Sequence, residues 1–187
     1  MGLPLPLGFA TLRRALTRYE SAITYAVLGL VAGLLSGAAV IAFEHAIEQL
    51  ALLWGVGRRG DDFESLTLAQ RVAVPLTGAL VLGLVFSLLR PEDREVGIVH
   101  VISRLHGNYG RLPWRNALVQ FLGGAVALAS GQSGGREGPG VHLGAATNSL
   151  VGQALELPSN SLRVLIACGC AGGIAAAFNT PLAGVIF

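Results

Sequence analysis

Residues 21–43 read SAITYAVLGLVAGLLSGAAVIAF and hold no charged side chain. At about 1.5 Å per residue such a run crosses a hydrocarbon core of about 30 Å as a helix. A chain with this segment near its start folds around a bilayer, and the remaining sequence agrees. Hydrophobic residues make up 52% and charged residues 13% of the 187, with a mean hydropathy of +0.62. Soluble domains carry about 25% charge. The three arginines before the run are followed by an apolar stretch too long for the core of a signal peptide, so it reads as a first transmembrane helix.

That helix is expected to continue through Glu44, His45 and Glu48 to Trp54, which makes it long and tilted. The polar turn RRGDDFE, 58–64, follows it. A second crossing is expected over 71–89, with Pro75 near its start, where proline does least harm. Residues 90–115 read as a polar loop rich in arginine, and residues 1–20 are rich in arginine too. Two crossings return the chain to its starting side, so both arginine-rich segments are placed in the cytoplasm and residues 54–71 outside. The formal net charge of +2 gives no reason to invoke nucleic acid.

After Arg115 the hydrophobic pieces shorten. Residues 116–130 form one. A glycine-rich run over 131–140 breaks it, and Pro139 is expected to open a helix running to about Leu155. A further helix is expected from about Leu162 to Ala177, with Ser159 available as its cap. FNTP then breaks that helix and Pro181 starts the next. Short hydrophobic segments interrupted by Gly and Pro point to a transport site near the bilayer midplane. The chain stops at Phe187 inside that last helix, so it reads as part of a longer membrane protein. Cys168 and Cys170 lie in the small-residue run IACGCAGG and read as packing residues. No metal or other cofactor is expected.

Between Asn116 and Leu155, Arg136 and Glu137 are the only charged residues, and they stand among glycines. Glycines allow backbone N–H groups to approach a ligand, and a helix start supplies unpaired donors and positive potential. Together these make an anion site. Glu137 can occupy that site itself, or be neutralised by a proton and leave it. Arg136 adds positive potential and keeps the glutamate from standing alone. His142 reads as a packing histidine rather than a proton relay.

Two motifs carry a resemblance. GREGP at 135–139, followed by VHLGA, and AGGIAAAFNTPLAGVIF at 171–187 resemble signatures of the CLC family of chloride channels and proton-coupled chloride antiporters. The resemblance runs from about Ser21 to the end. It implies an all-α polytopic membrane protein, the first inverted repeat of a CLC-type fold with tilted and broken helices. On that reading residues 1–20 are a cytoplasmic arm and 21–187 the transmembrane domain, incomplete at its C-terminus. It also implies a homodimer in the cell inner (plasma) membrane that moves chloride and, in antiporters, protons. Glu137 would be the gate and proton carrier, with Gly97, Ile98, Arg136 and Gly138 around the anion.

The family's GSGIP motif is replaced here by EVGIV at 95–99. Gly97 and Ile98 match, whereas Val96 removes the serine hydroxyl and Val99 the proline. Backbone N–H groups at Gly97 and Ile98 can still serve, but the ion is open among chloride, nitrate, fluoride and other small anions, as is the choice between channel and antiporter. Glu95 reads as one of the water-facing PEDRE cluster. The alternatives are an intramembrane serine protease, since GQSG at 131–134 matches the rhomboid GxSG, and a non-conducting membrane subunit. The protease needs a histidine base beside Ser133, and no histidine follows His142. The chain is therefore read as a transporter, not an enzyme.

Overall fold

A computed structural model describes residues 22–56 and 63–186. The expected arm over 1–20 and most of the 58–64 turn lie outside the described residues. Helix α1 spans Ala22–Leu53, α2 Leu68–Leu88, α3 Gly97–Gly107, α4 Trp114–Ala129, α5 Glu137–Ala154, α6 Ser159–Ala177 and α7 Pro181–Ile186. Short 3-10 turns cover Phe63–Ser65 and Pro91–Arg94. No strand occurs among the described residues.

The first helix is continuous, as its sequence predicts. Its 32 residues reach about 48 Å at the usual rise, well beyond a 30 Å core. It ends at Gly55, whose φ of 75° closes the turn while Val56 N–H bonds back to Ala51. Leu28, Ala32, Ser36, Val40 and Phe43 form its buried stripe, whereas Leu30, Leu34 and Ile41 stay exposed on other faces. A helix that is apolar all round belongs in lipid. Residues 26–53, 68–88 and 159–177 are each long and apolar enough to cross a membrane.

Three expectations are corrected. The second crossing starts at Leu68 instead of Arg71, because Thr67 and Gln70 form a reciprocal capping box. Pro75 consequently sits inside the helix, and its carbonyl accepts a hydrogen bond from Gln132 Nε2 at 2.8 Å. The polar stretch over 90–115 is not a simple loop, since it contains α3. Asn116 of α4 fastens its approach by donating to the carbonyls of Glu92 and Glu95 at 2.7 and 2.8 Å. Finally, α5 begins at Glu137, two residues before Pro139. Proline is tolerated there because a third-position N–H has no partner within the helix.

The core is a glycine seam between α5 and α6. A Cβ at Gly144 would fall on the Gly169 carbonyl, and one at Gly173 on the Gly140 carbonyl. Gly140 and Gly144 on one helix thus face Gly169 and Gly173 on the other, each pair four residues apart. Such spacing lets backbones touch where lipid provides no hydrophobic drive. Asn148 ties α1 into the seam by donating to Ser36 Oγ and the Gly144 carbonyl, both at 2.8 Å, while Ser36 donates to the Gly169 carbonyl at 3.0 Å. Val101, Leu112, Val141, Leu162 and Ile166 pack beside it and fix α3 to the same core.

Candidate functional site around Glu137

Glu137 is the first residue of α5, with Arg136 as N-cap. Arg136 makes no side-chain cap, and Gly140 N–H is the donor that bonds back to the Arg136 carbonyl at 2.9 Å. Pro139 carries no N–H. The backbone donors left free by the helix itself are therefore those of the cap, Glu137 and Gly138. A Cβ on Gly135 would collide with the Glu137 carboxylate, so this glycine leaves the space into which the carboxylate turns. The Glu137 side chain is partly buried.

Arg136 does not pair with its neighbour. Its guanidinium donates to Glu44 Oε1 of α1 at 3.2 Å, with both side chains partly exposed. The expectation that Arg136 keeps Glu137 from standing alone is corrected: its ion pair is with Glu44 instead. Arg136 still contributes positive potential near the helix start, but Glu44 offsets much of it.

Gly97 opens α3 with a φ of 80°, in the left-handed region that favours glycine. Val96, at the N-cap, makes no side-chain cap hydrogen bond. The start of α3 is thus another set of backbone donors. A cavity of about 840 Å³ is lined by Ile98, Glu137, Val141, Ile174, Phe178 and Thr180, among others. It brings Ile98 and Glu137 together, with the FNTP break joining them from the far end of the sequence. Gly97 and Gly138 adjoin these lining residues in the chain, whereas Arg136 turns towards α1.

Sequence reasoning missed a second polar cluster. His100 Nδ1 and His142 Nε2 lie 3.0 Å apart, and the rings are stacked with centroids 5.3 Å apart. Arg104 Nε donates to His100 Nε2 at 3.1 Å. Both rings are buried. His142 packs as expected, yet its Nδ1 has no hydrogen-bond partner among the described residues. Nothing in the sequence marked the pair, because His100 falls in the stretch read as a polar loop. Ser133 is exposed, and the imidazole nearest to it in sequence is already engaged with His100. Cys170 is buried in the apolar core with Ile166 and Ile174.

The sequence model of a family described as voltage gated chloride channel matches residues 78–187. A protein of Cronobacter sakazakii named H(+)/Cl(-) exchange transporter ClcA is 33% identical over 190 residues, covering 95% of this chain and 38% of that protein. A putative chloride channel protein, ClcB-like, of Ralstonia nicotianae is 32% identical over 87% of this chain and 39% of its own length. The ClcA of Vibrio cholerae is 41% identical over 98 residues, 52% of this chain. The chain thus spans about two fifths of the first two relatives.

Proposed function

The chain belongs to the voltage-gated chloride channel family, and from that premise we propose that it supplies part of a pathway for chloride or another small anion across a membrane. Glu137 is its titratable gate. The backbone N–H groups at Gly97, Ile98 and Gly138 face the anion, and Arg136 tunes the potential from beside the path. The protein works as a homodimer in the plasma membrane, and protons reach the pathway through Glu137.

One observation carries the reading: Glu137 and Ile98 line the same cavity although 39 positions separate them in the sequence. The starts of α3 and α5 therefore present unpaired donors to one space, which the Glu137 side chain also lines. An anion gains from both helix ends there. Protonated Glu137 competes less well for those donors than its carboxylate does, so acid favours the open pathway.

The test is anion efflux from proteoliposomes holding the protein expressed from its complete coding sequence. Glu137→Gln mimics the protonated gate. Efflux is expected to persist in this variant and to lose its response to pH. A pH response identical to that of the wild type would overturn the gate assignment.

A further inference from the structure

Three elements meet where α3 ends: its own last turn, the end of α5 and the start of α6. Helix α3 stops at Gly107, and the Arg104 carbonyl accepts from Asn108 N–H at 3.1 Å and from Gly110 N–H at 2.9 Å. Tyr109 and Gly110 both take left-handed φ values, 55° and 82°, which turn the chain back sharply. The residues that follow are clamped by α5. Ser149 Oγ donates to the Gly110 carbonyl at 2.7 Å and accepts from Leu112 N–H at 2.9 Å, while Gln153 Nε2 donates to the Leu112 carbonyl at 3.0 Å. Arg111 stands between two anchored residues, so its backbone is fixed although its side chain is exposed.

A cavity of about 260 Å³ opens at this junction, lined by Arg104, Gly107, Asn108, Tyr109, Arg111 and Ser159. Arg104 spends its Nε on His100 Nε2 at 3.1 Å, which leaves its terminal nitrogens without a partner among the described residues. The Arg111 guanidinium has no hydrogen bond or ion pair among them. Arg163, whose Cγ lies 3.8 Å from a Cβ built on Gly110, adds a third cation beside the turn. Ser159 is the first residue of α6, and its N-cap, Pro158, offers no side-chain cap. Leu162 N–H bonds to the Pro158 carbonyl at 2.9 Å, so the N–H groups of Ser159, Asn160 and Ser161 have no partner within the helix. Grouped cations without a counter-charge repel one another, and an anion between them removes that cost. The adjoining cavity shares Arg111 but is lined by Glu156 as well, so it lacks this excess of positive charge.

The junction lies at one face of the membrane. Leu28, near the start of α1, packs with Leu157 and Leu165, so the start of α1, the end of α5 and the start of α6 share one level. Helices α1 and α6 are each long and apolar enough to cross a membrane, which puts their shared starting level among the lipid headgroups. Tyr109, 64% exposed, is of a residue type enriched at that depth. The cavity is smaller than the roughly 300–1,000 Å³ of sites for drug-sized ligands, a size that suits one headgroup. Guanidinium forks match phosphate oxygens, and basic pockets between membrane helices hold anionic headgroups. We propose that this cavity is a phosphate site, filled by the headgroup of an anionic phospholipid, with Arg104 and Arg111 as its cations and the start of α6 as a further set of donors. A zwitterionic headgroup brings an ammonium that the arginines repel. A soluble phosphate offers the same chemistry as the anionic lipid, and the experiment separates the two. The site shares no lining residue with the Glu137 cavity and does not depend on the transport reading.

The experiment uses the protein expressed from its complete coding sequence and purified in a neutral detergent. Short-chain phosphatidylglycerol, phosphatidylcholine or inorganic phosphate is titrated in, and the melting midpoint is read, since it rises with any ligand that binds the folded state. Phosphatidylglycerol is expected to raise the midpoint saturably at concentrations where phosphatidylcholine does not. Arg111→Gln is expected to need about tenfold more of the anionic lipid for the same rise, the loss of one charge-assisted contact. Arg90→Gln removes the same charge from outside the cavity and is expected to titrate like the wild type. Equal weakening in the two variants overturns the site, because it means diffuse attraction to net charge. An equal response to both lipids with none to inorganic phosphate also overturns it. A response to inorganic phosphate that Arg111→Gln weakens, without preference for the anionic lipid, keeps the phosphate chemistry and overturns the lipid as its source. Should Arg111→Gln fail to fold, the wild-type comparison of the two lipids decides alone: a preference for the anionic one supports the site, and its absence overturns it.

Discussion

Gly135 and the Glu137 carboxylate compete for one volume. A methyl group at Gly135 meets the far end of a flexible side chain, which can swing aside. Gly135→Ala is therefore expected to displace the Glu137 carboxylate rather than unfold the protein, at a rotamer cost of about 0.5–1.5 kcal/mol. Its efflux should resemble that of Glu137→Gln in losing pH response, with a nearly unchanged melting curve; a wild-type pH profile would show that the carboxylate has another place to sit. Gly97 is limited differently, by its φ of 80° with open space around the Cβ position. Gly97→Ala should cost about 1–2 kcal/mol of left-handed strain in thermal unfolding, or else reorient the first turn of α3 and lower efflux. At this scale Glu137 stood out as a candidate in the sequence because it is a charge among glycines in an otherwise uncharged run. The partner of Arg136 did not: Glu44 lies 92 positions away, and no local spacing announces it.

Between helices, the seam of α5 and α6 tolerates no side chain at its crossing point. A side chain at Gly144 would enter the carbonyl of Gly169, and rigid backbone has nowhere to go. Gly144→Val is expected to destabilise the protein by at least about 3 kcal/mol, the upper part of the range for overpacked cores. A lowered melting midpoint in detergent checks this, with Gly138→Ala as a control, since nothing lies within 4 Å of a Cβ there. The four-residue spacing of these glycines was present in the sequence, and the helices that carry them were expected. Their boundaries shifted for local reasons. Thr67 and Gln70 cap α2 ahead of its arginine, and α5 starts at the charged residue instead of the proline. Helix α3 was missed because Arg104 and His106, with Arg90, Arg94, Arg111 and Arg115 on either side of the helix, made 90–115 read as loop. Its buried side consists of His100 and Val101, too little for a sequence pattern.

At the scale of the whole molecule, the apolar surface itself identifies the solvent. Leu76, Leu80 and Leu84 stand at four-residue intervals on α2 and are each at least 58% exposed, while Val74 and Gly78 on another face are buried. A water-soluble fold would place that leucine face inside. In a bilayer it needs no cover, because lipid chains are as apolar as leucine. The position along the helix then decides what a charge costs. Leu80 lies near the middle of the 21 residues of α2, so Leu80→Arg places a guanidinium at the depth where insertion costs about 2.5–3.5 kcal/mol. Leu88 is the last residue of the same helix and just as open, so the long side chain of Leu88→Arg can reach the interface. Membrane-inserted yield is therefore expected to fall sharply for Leu80→Arg and little for Leu88→Arg. Equal yields for the two would mean that this face of α2 does not meet the hydrocarbon core, and the transmembrane assignment of α2 would have to be withdrawn.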